Sequence, residues 1–172
     1  MPLGIGERAP DFRLRGADNV YWILGEPDKR RSVLIVFLRR ESSTCRMLLP
    51  FVERLFRRGH DHETEIFGVS LDNQADTLEF TEDYTITFPV LIDGPGLETV
   101  RAYGVEALPT VFRLDSKLRV AEVVVGWSKE LFESLARAYL VDAGGRIRTL
   151  WEPADIPPER AEAVPIVDCR LR

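Results

Sequence analysis

Cysteine is scarce in this chain: Cys45 and Cys169 are the two in 172 residues. That excludes a disulfide framework as the source of stability and is compatible with a reducing compartment. Histidine is equally scarce, and His60 and His62 alternate with Asp61 and Glu63 in a charged loop after a helix. Such loops are ordinarily solvated, so no metal site is expected. No apolar run approaches the roughly 18 residues of a membrane span. Residues 1–8 also lack the apolar core of a leader peptide, so a cytoplasmic protein without a membrane partner is the expectation. Nor is positive charge in excess. A net charge of -5 argues against nucleic acid as a partner.

What is present is the composition of a globular domain, 45% hydrophobic and 30% charged. A chain of this length buries about two-thirds of its unfolded surface and folds without crosslinks. Aliphatic and β-branched runs at 33–38, 65–70, 110–114 and 120–125 read as strands, the first apolar on both faces and so central. The stretch from Met47 to Phe56 has helical spacing and ends in Arg57, Arg58 and Gly59. Strand, helix and strand in that order predict a right-handed crossover with parallel pairing. A second helix starts at Asn73 or Asp76 and runs to Tyr84, with Leu78, Phe80 and Tyr84 toward the core. Residues 88–93 are extended, 97–103 form a short helix closed by Gly104, and Asp115, Ser116 and Lys117 turn an antiparallel hairpin. Ser128 caps a helix over 129–140 that buries Leu131, Phe132, Leu135, Ala138 and Tyr139. The sheet is therefore mixed. Beyond Gly144, residues 146–151 alternate as a strand does, while 152–165 carry four prolines and read as an extended, poorly packed tail. No internal repeat is visible. Trp22, Trp127 and Trp151 read as packing residues.

Cys45 carries the chemical interest. It follows the central strand by a short polar turn and opens a helix, where the helix amino end and Arg39, Arg40 and Arg46 favour the thiolate. The competing reading is an inert thiol in a first helical turn, because unpaired cysteines are commonly buried. Ser42 likewise serves either as a partner of that thiol or as a plain helix cap.

Several segments resemble the thioredoxin superfamily, and within it the alkyl hydroperoxide reductase and thiol-specific antioxidant family, the redoxins with their TlpA-like relatives. They are Ala9-Pro10-Asp11-Phe12, Gly68-Val69-Ser70-Leu71-Asp72, Phe88-Pro89-Val90-Leu91-Ile92-Asp93, Tyr103-Gly104-Val105 and Leu108-Pro109-Thr110. The resemblance implies an α/β, thioredoxin-like three-layer fold, a mixed central sheet with helices on both faces, over residues 1–143. Residues 144–172 are then a C-terminal extension. It also implies that Pro109 and Thr110 form a cis-proline loop facing the active-site turn. Phe37, Arg46 and Pro50 match the TlpA-like frame around a CxxC pair, with Ser42 at the first cysteine and Cys45 at the second.

A serine forms no disulfide, so ordinary dithiol exchange does not follow from that frame. Peroxiredoxins carry a serine or threonine three residues before a peroxidatic cysteine, a spacing that Ser42 and Cys45 reproduce. Resemblance to that motif assigns Cys45 as nucleophile, Ser42 as its hydroxyl partner and Arg39 as the cation holding the sulfur ionised. Cys169 becomes a resolving cysteine across a homodimer or an incidental tail thiol. The expectation is a peroxiredoxin-like antioxidant oxidoreductase that reduces hydrogen peroxide or small hydroperoxides. It needs no cofactor and is recycled by an external thiol, glutathione or a thioredoxin-like protein. The alternatives are a TlpA-like thiol-disulfide oxidoreductase acting on a disulfide substrate, or a catalytically degenerate binding or structural module.

Overall fold

The computed structural model describes residues 1–25, 32–59 and 64–167. Along the chain run β1 (Phe12–Gly16), β2 (Tyr21–Leu24), β3 (Ser32–Leu38), α1 (Ser43–Arg58), β4 (Thr64–Ser70), α2 (Gln74–Asp83), β5 (Val90–Ile92) and α3 (Glu98–Ala102). There follow β6 (Ala107–Leu108), β7 (Thr110–Leu114), β8 (Val120–Val125), β9 (Trp127–Ser128), α4 (Lys129–Tyr139), β10 (Arg160–Ala161) and β11 (Val164–Pro165).

Seven strands form one mixed sheet in the order β2-β1-β5-β4-β3-β7-β8. Strands β3, β4 and β5 pair in parallel, the crossover predicted from 33–70, and β7 and β8 pair antiparallel as the hairpin requires. Every residue from Val33 to Leu38 is buried. A strand apolar on both faces needs cover on both, which is why helices lie on each side of the sheet. On one side, α1 turns Leu48, Leu49, Val52 and Leu55 inward and packs against α4. Phe37 and Phe112 close around Tyr103 at centroid distances of 5.3 and 5.4 Å. Edge-to-face and tilted pairs of this kind add to plain area burial.

Five details differ from the sequence reading. β1 and β2 are a hairpin that the sequence reading leaves out, although Phe12, Arg13, Leu14 and Arg15 alternate as a half-buried strand does; Arg13 lies over Tyr21 at 4.4 Å. On α2 the buried residues are Thr77 and Phe80; Leu78 is 43% exposed and Tyr84 lies at the rim. An apolar pattern leaves Thr77 out, but its hydroxyl pairs with Ser70 at 2.8 Å in the interior. On α4 the inward alanine is Ala136; Ala138, beside Leu131 at the margin of that face and in the last turn of the helix, is exposed. Residues 146–151 make one isolated bridge, Val141 to Ile147, in place of a strand. The tail beyond them is attached to the fold: β10 pairs with β9, and β11 with β6.

Candidate active site

The end of β3 and the start of α1 place Ser42 and Cys45 side by side. Ser42 is the cap of α1, in extended conformation, and its Oγ accepts the Cys45 amide at 3.2 Å. Short polar side chains satisfy the orphan amides of a first helical turn in just this way. The same Oγ donates to the Leu108 carbonyl at 3.4 Å. Leu108 precedes Pro109 through a cis peptide bond, so the loop anticipated from Leu108-Pro109-Thr110 does border the cysteine turn. Thr110 is buried; its hydroxyl donates to the Ala107 carbonyl at 2.7 Å, and it pairs with Phe37 in the sheet.

Cys45 itself is fully buried. Burial pushes its thiol from 9.0 up to about 11, outweighing hydrogen bonds from the Ser42 hydroxyl and the Arg39 backbone, which favour the anion. Ser42 has one hydroxyl proton, so the sulfur and the Leu108 carbonyl share it in turn. The expectation that this position favours thiolate is thus corrected: desolvation wins over the helix amino end. At neutral pH such a thiol is protonated.

Each of the three arginines has another partner besides, and the charge of Arg46 favours the Cys45 anion. Arg39 lies 3.7 Å from the Asp72 carboxylate, so its guanidinium has an acidic neighbour besides any role at sulfur. Arg40 faces the acidic side of α2, reaching Glu79 at 2.7 Å, and its amide donates to Asp72 at 2.7 Å. Arg46 donates to the Arg40 carbonyl at 2.9 Å. Asp72 acts on the thiol in the opposite sense, its negative charge raising the Cys45 pKa. Cys169, His60 and His62 lie outside the described residues. Among the described residues no cluster of three potential metal ligands occurs, and no helix is long and apolar enough to cross a membrane.

A raised thiol pKa has a definite sign in stability. The unfolded chain ionises Cys45 near its ordinary value while the folded chain keeps it protonated. The contribution is therefore fully present below about pH 9 and is lost as pH rises toward 11, by up to about 3 kcal/mol. Tyr103 and Tyr139, both raised by burial, add a slope of the same sign at the upper end. Urea melts across this range are expected to show a smaller loss for Cys45→Ala than for the parent, and equal slopes would contradict the burial of the sulfur.

This fold, with a cysteine turn facing a cis-proline loop, defines a thioredoxin-like protein. Residues 5–123 match the AhpC/TSA family, and the chain belongs to that family. Among curated relatives, the thioredoxin-like protein YneN of Bacillus subtilis is 29% identical over 124 residues, covering 70% of this chain and 71% of YneN. The thiol-disulfide oxidoreductase ResA of Geobacillus thermodenitrificans is 27% identical over 125 residues, 72% of this chain and 71% of ResA. A solved structure from Chlorobium tepidum, described as a thiol:disulfide interchange protein DsbE, superposes with a TM-score of 0.69 at 28% identity, covering 77% of this chain and 93% of that one.

Proposed function

We propose that this chain works in thiol-disulfide exchange with a single thiol, as a TlpA-like protein in which Cys45 forms mixed disulfides with a disulfide partner. The observation that carries this reading is the placement of Cys45 in the first turn of α1, with the Ser42 hydroxyl and the Arg39 backbone directed at its sulfur and the cis-Pro109 loop beside it. The relatives named for thiol-disulfide exchange support it. In the step itself the Cys45 thiolate attacks one sulfur of the partner's disulfide. The Cys45 S–S bond forms, the partner's S–S bond breaks, and the electron pair leaves on its second sulfur, which takes up the proton that Cys45 gave up. An external thiol such as glutathione then attacks the mixed disulfide and returns Cys45. Ser42 cannot release the partner internally, so the adduct persists until that thiol arrives. A cytoplasmic setting would provide one, and no cofactor is required.

Peroxide reduction, implied by the Ser42 to Cys45 spacing, draws less support because these relatives are named for disulfide chemistry. The burial of Cys45 favours a different second reading, in which the same face binds a partner without chemistry. One experiment separates them. The full chain carrying Cys169→Ser is incubated with glutathione disulfide or with hydrogen peroxide and followed by intact mass. Exchange predicts one glutathionyl adduct on Cys45, formed faster than peroxide oxidises it. Rapid sulfenic acid formation without an adduct points to a peroxidase, and inertness to both of a Cys45 that iodoacetamide does alkylate overturns catalysis.

A further inference from the structure

We infer that residues 159–166 are a displaceable strap that closes the Cys45 site, seated on the edge strand beside the cis-proline by backbone bonds of the kind an extended peptide makes. The strap touches β6, the first turn of α1 and β9. β11 pairs antiparallel with β6, Val164 opposite Leu108 and Pro165 opposite Ala107, and the Ile166 amide donates to the Glu106 carbonyl at 2.9 Å. One turn away, the hydroxyl of Thr44, the neighbour of Cys45, donates to the Glu162 carbonyl at 2.8 Å. β10 pairs with β9, and the Lys129 amide donates to the Glu159 carbonyl at 3.0 Å.

Between these contacts the strap lies directly on backbone. Gly126, whose amide donates to the Pro109 carbonyl at 2.8 Å, has φ of +89°, and a side-chain carbon there would sit 2.4 Å from the Ala161 carbonyl oxygen. Only glycine leaves room for the tail at that point.

The manner of attachment makes the strap separable from the fold. None of residues 152–167 is buried, whereas Leu150 just before them is. The strap is therefore held by hydrogen bonds across two strands of two residues each and by the exposed ion pairs Glu159–Lys129 and Arg160–Glu130, with only Ala161 and Ile166 half-buried against the core. Segments of that kind open at lower cost than a core. Its bonds to β6 are main-chain bonds, so an extended segment of another protein would exchange them like for like and uncover the thiol in the same act. The partner this fits is an unfolded or loop segment presented in extended form. The strap rests on the single-thiol reading only for what the uncovered cysteine then does.

The test uses the full chain with Cys169→Ser, so that Cys45 is its one thiol. Native alkylation of Cys45 by iodoacetamide is compared with amide exchange at Ile166 in the strap and Ile35 in the central strand. Protection of Cys45 is expected to match that of Ile166 and to be at least about a hundredfold weaker than that of Ile35. Ile166→Pro removes the amide donor and is expected to speed alkylation by about fivefold or more; Thr44→Val does the same from the other side. Alkylation that follows Ile35, in the parent alone if either variant fails to fold, overturns the strap. So does a fast-exchanging Ile166 beside an inert Cys45. Glutathione disulfide offered to Ile166→Pro divides the two proposals: fast alkylation without an adduct leaves the strap standing and removes exchange, and slow alkylation removes the strap whatever the adduct yield.

Discussion

Ser42→Cys is expected to give this chain the activity of a dithiol pair. The position is the cap of α1, three residues before Cys45, and its side-chain atom already lies 3.2 Å from the Cys45 amide. A thiol there meets the unpaired amides of a helix start, the setting that lowers thiol pKa values and makes the first cysteine of such pairs the attacking one. Cys45, buried one turn inside, then becomes the thiol that resolves the mixed disulfide. In the Cys169→Ser background, mild oxidation is expected to remove both thiols from each chain, and insulin reduction to rise at least about a hundredfold over the parent. Cysteine caps a helix less well than serine, so a stability cost of about 1 kcal/mol accompanies the gain. Thiol counts before and after oxidation, with insulin turbidity, check both halves. If both thiols persist under oxidant, the turn does not have the geometry of a CxxC pair and the TlpA-like reading loses its footing. Adding Ile166→Pro is expected to raise the activity further, because Ser42 is itself buried in the closed structure.

The elements that position the site are legible in the sequence because their signals are local. Val33 to Leu38 is apolar at every position, Ser42 and Asn73 are caps whose oxygens accept amides three residues on, and Pro109 sits where two strands need a bend. Packing partners are less legible wherever polarity misleads. Thr77 is inside because Ser70 answers its hydroxyl, and Glu53 is inside because the amide and hydroxyl of Thr87 both donate to its carboxylate. The state of Cys45 is left open by the sequence, which offers both an anion at a helix start and a buried inert thiol. Position along the helix argues for an anion, and only three-dimensional burial supplies the larger opposing effect. The tail misleads for a related reason. Four prolines and many charges describe a segment without a core of its own, yet backbone pairing to β6 and β9 needs no apolar side chains.

Trp127 joins the stability of the fold to the hold on that tail, and its truncation is expected to be among the most damaging single changes. Its ring stacks on Phe132 at 4.7 Å and 25°, tilts against Phe51 at 5.1 Å and meets Trp151 at 6.3 Å. Trp127→Ala leaves a cavity where α1, α4 and the start of the tail meet, at a cost of about 3–5 kcal/mol. That is a large share of the roughly 5–15 kcal/mol of a typical domain. The indole has a second task, since its Nε1 donates to the Pro158 carbonyl at 2.6 Å, one residue before the strap begins. Trp127→Phe keeps an aromatic ring on Phe132 and removes that donor. Because Pro158 is exposed and water can satisfy its carbonyl, the loss of this bond costs only about 1 kcal/mol beyond the change in ring size. The two variants are therefore expected to part company. Urea melts should show a large fall in midpoint for Trp127→Ala and a modest one for Trp127→Phe, while native alkylation of Cys45 should accelerate in Trp127→Phe out of proportion to its stability loss. Acceleration that merely follows global stability in both would show that the indole serves the core and not the tail.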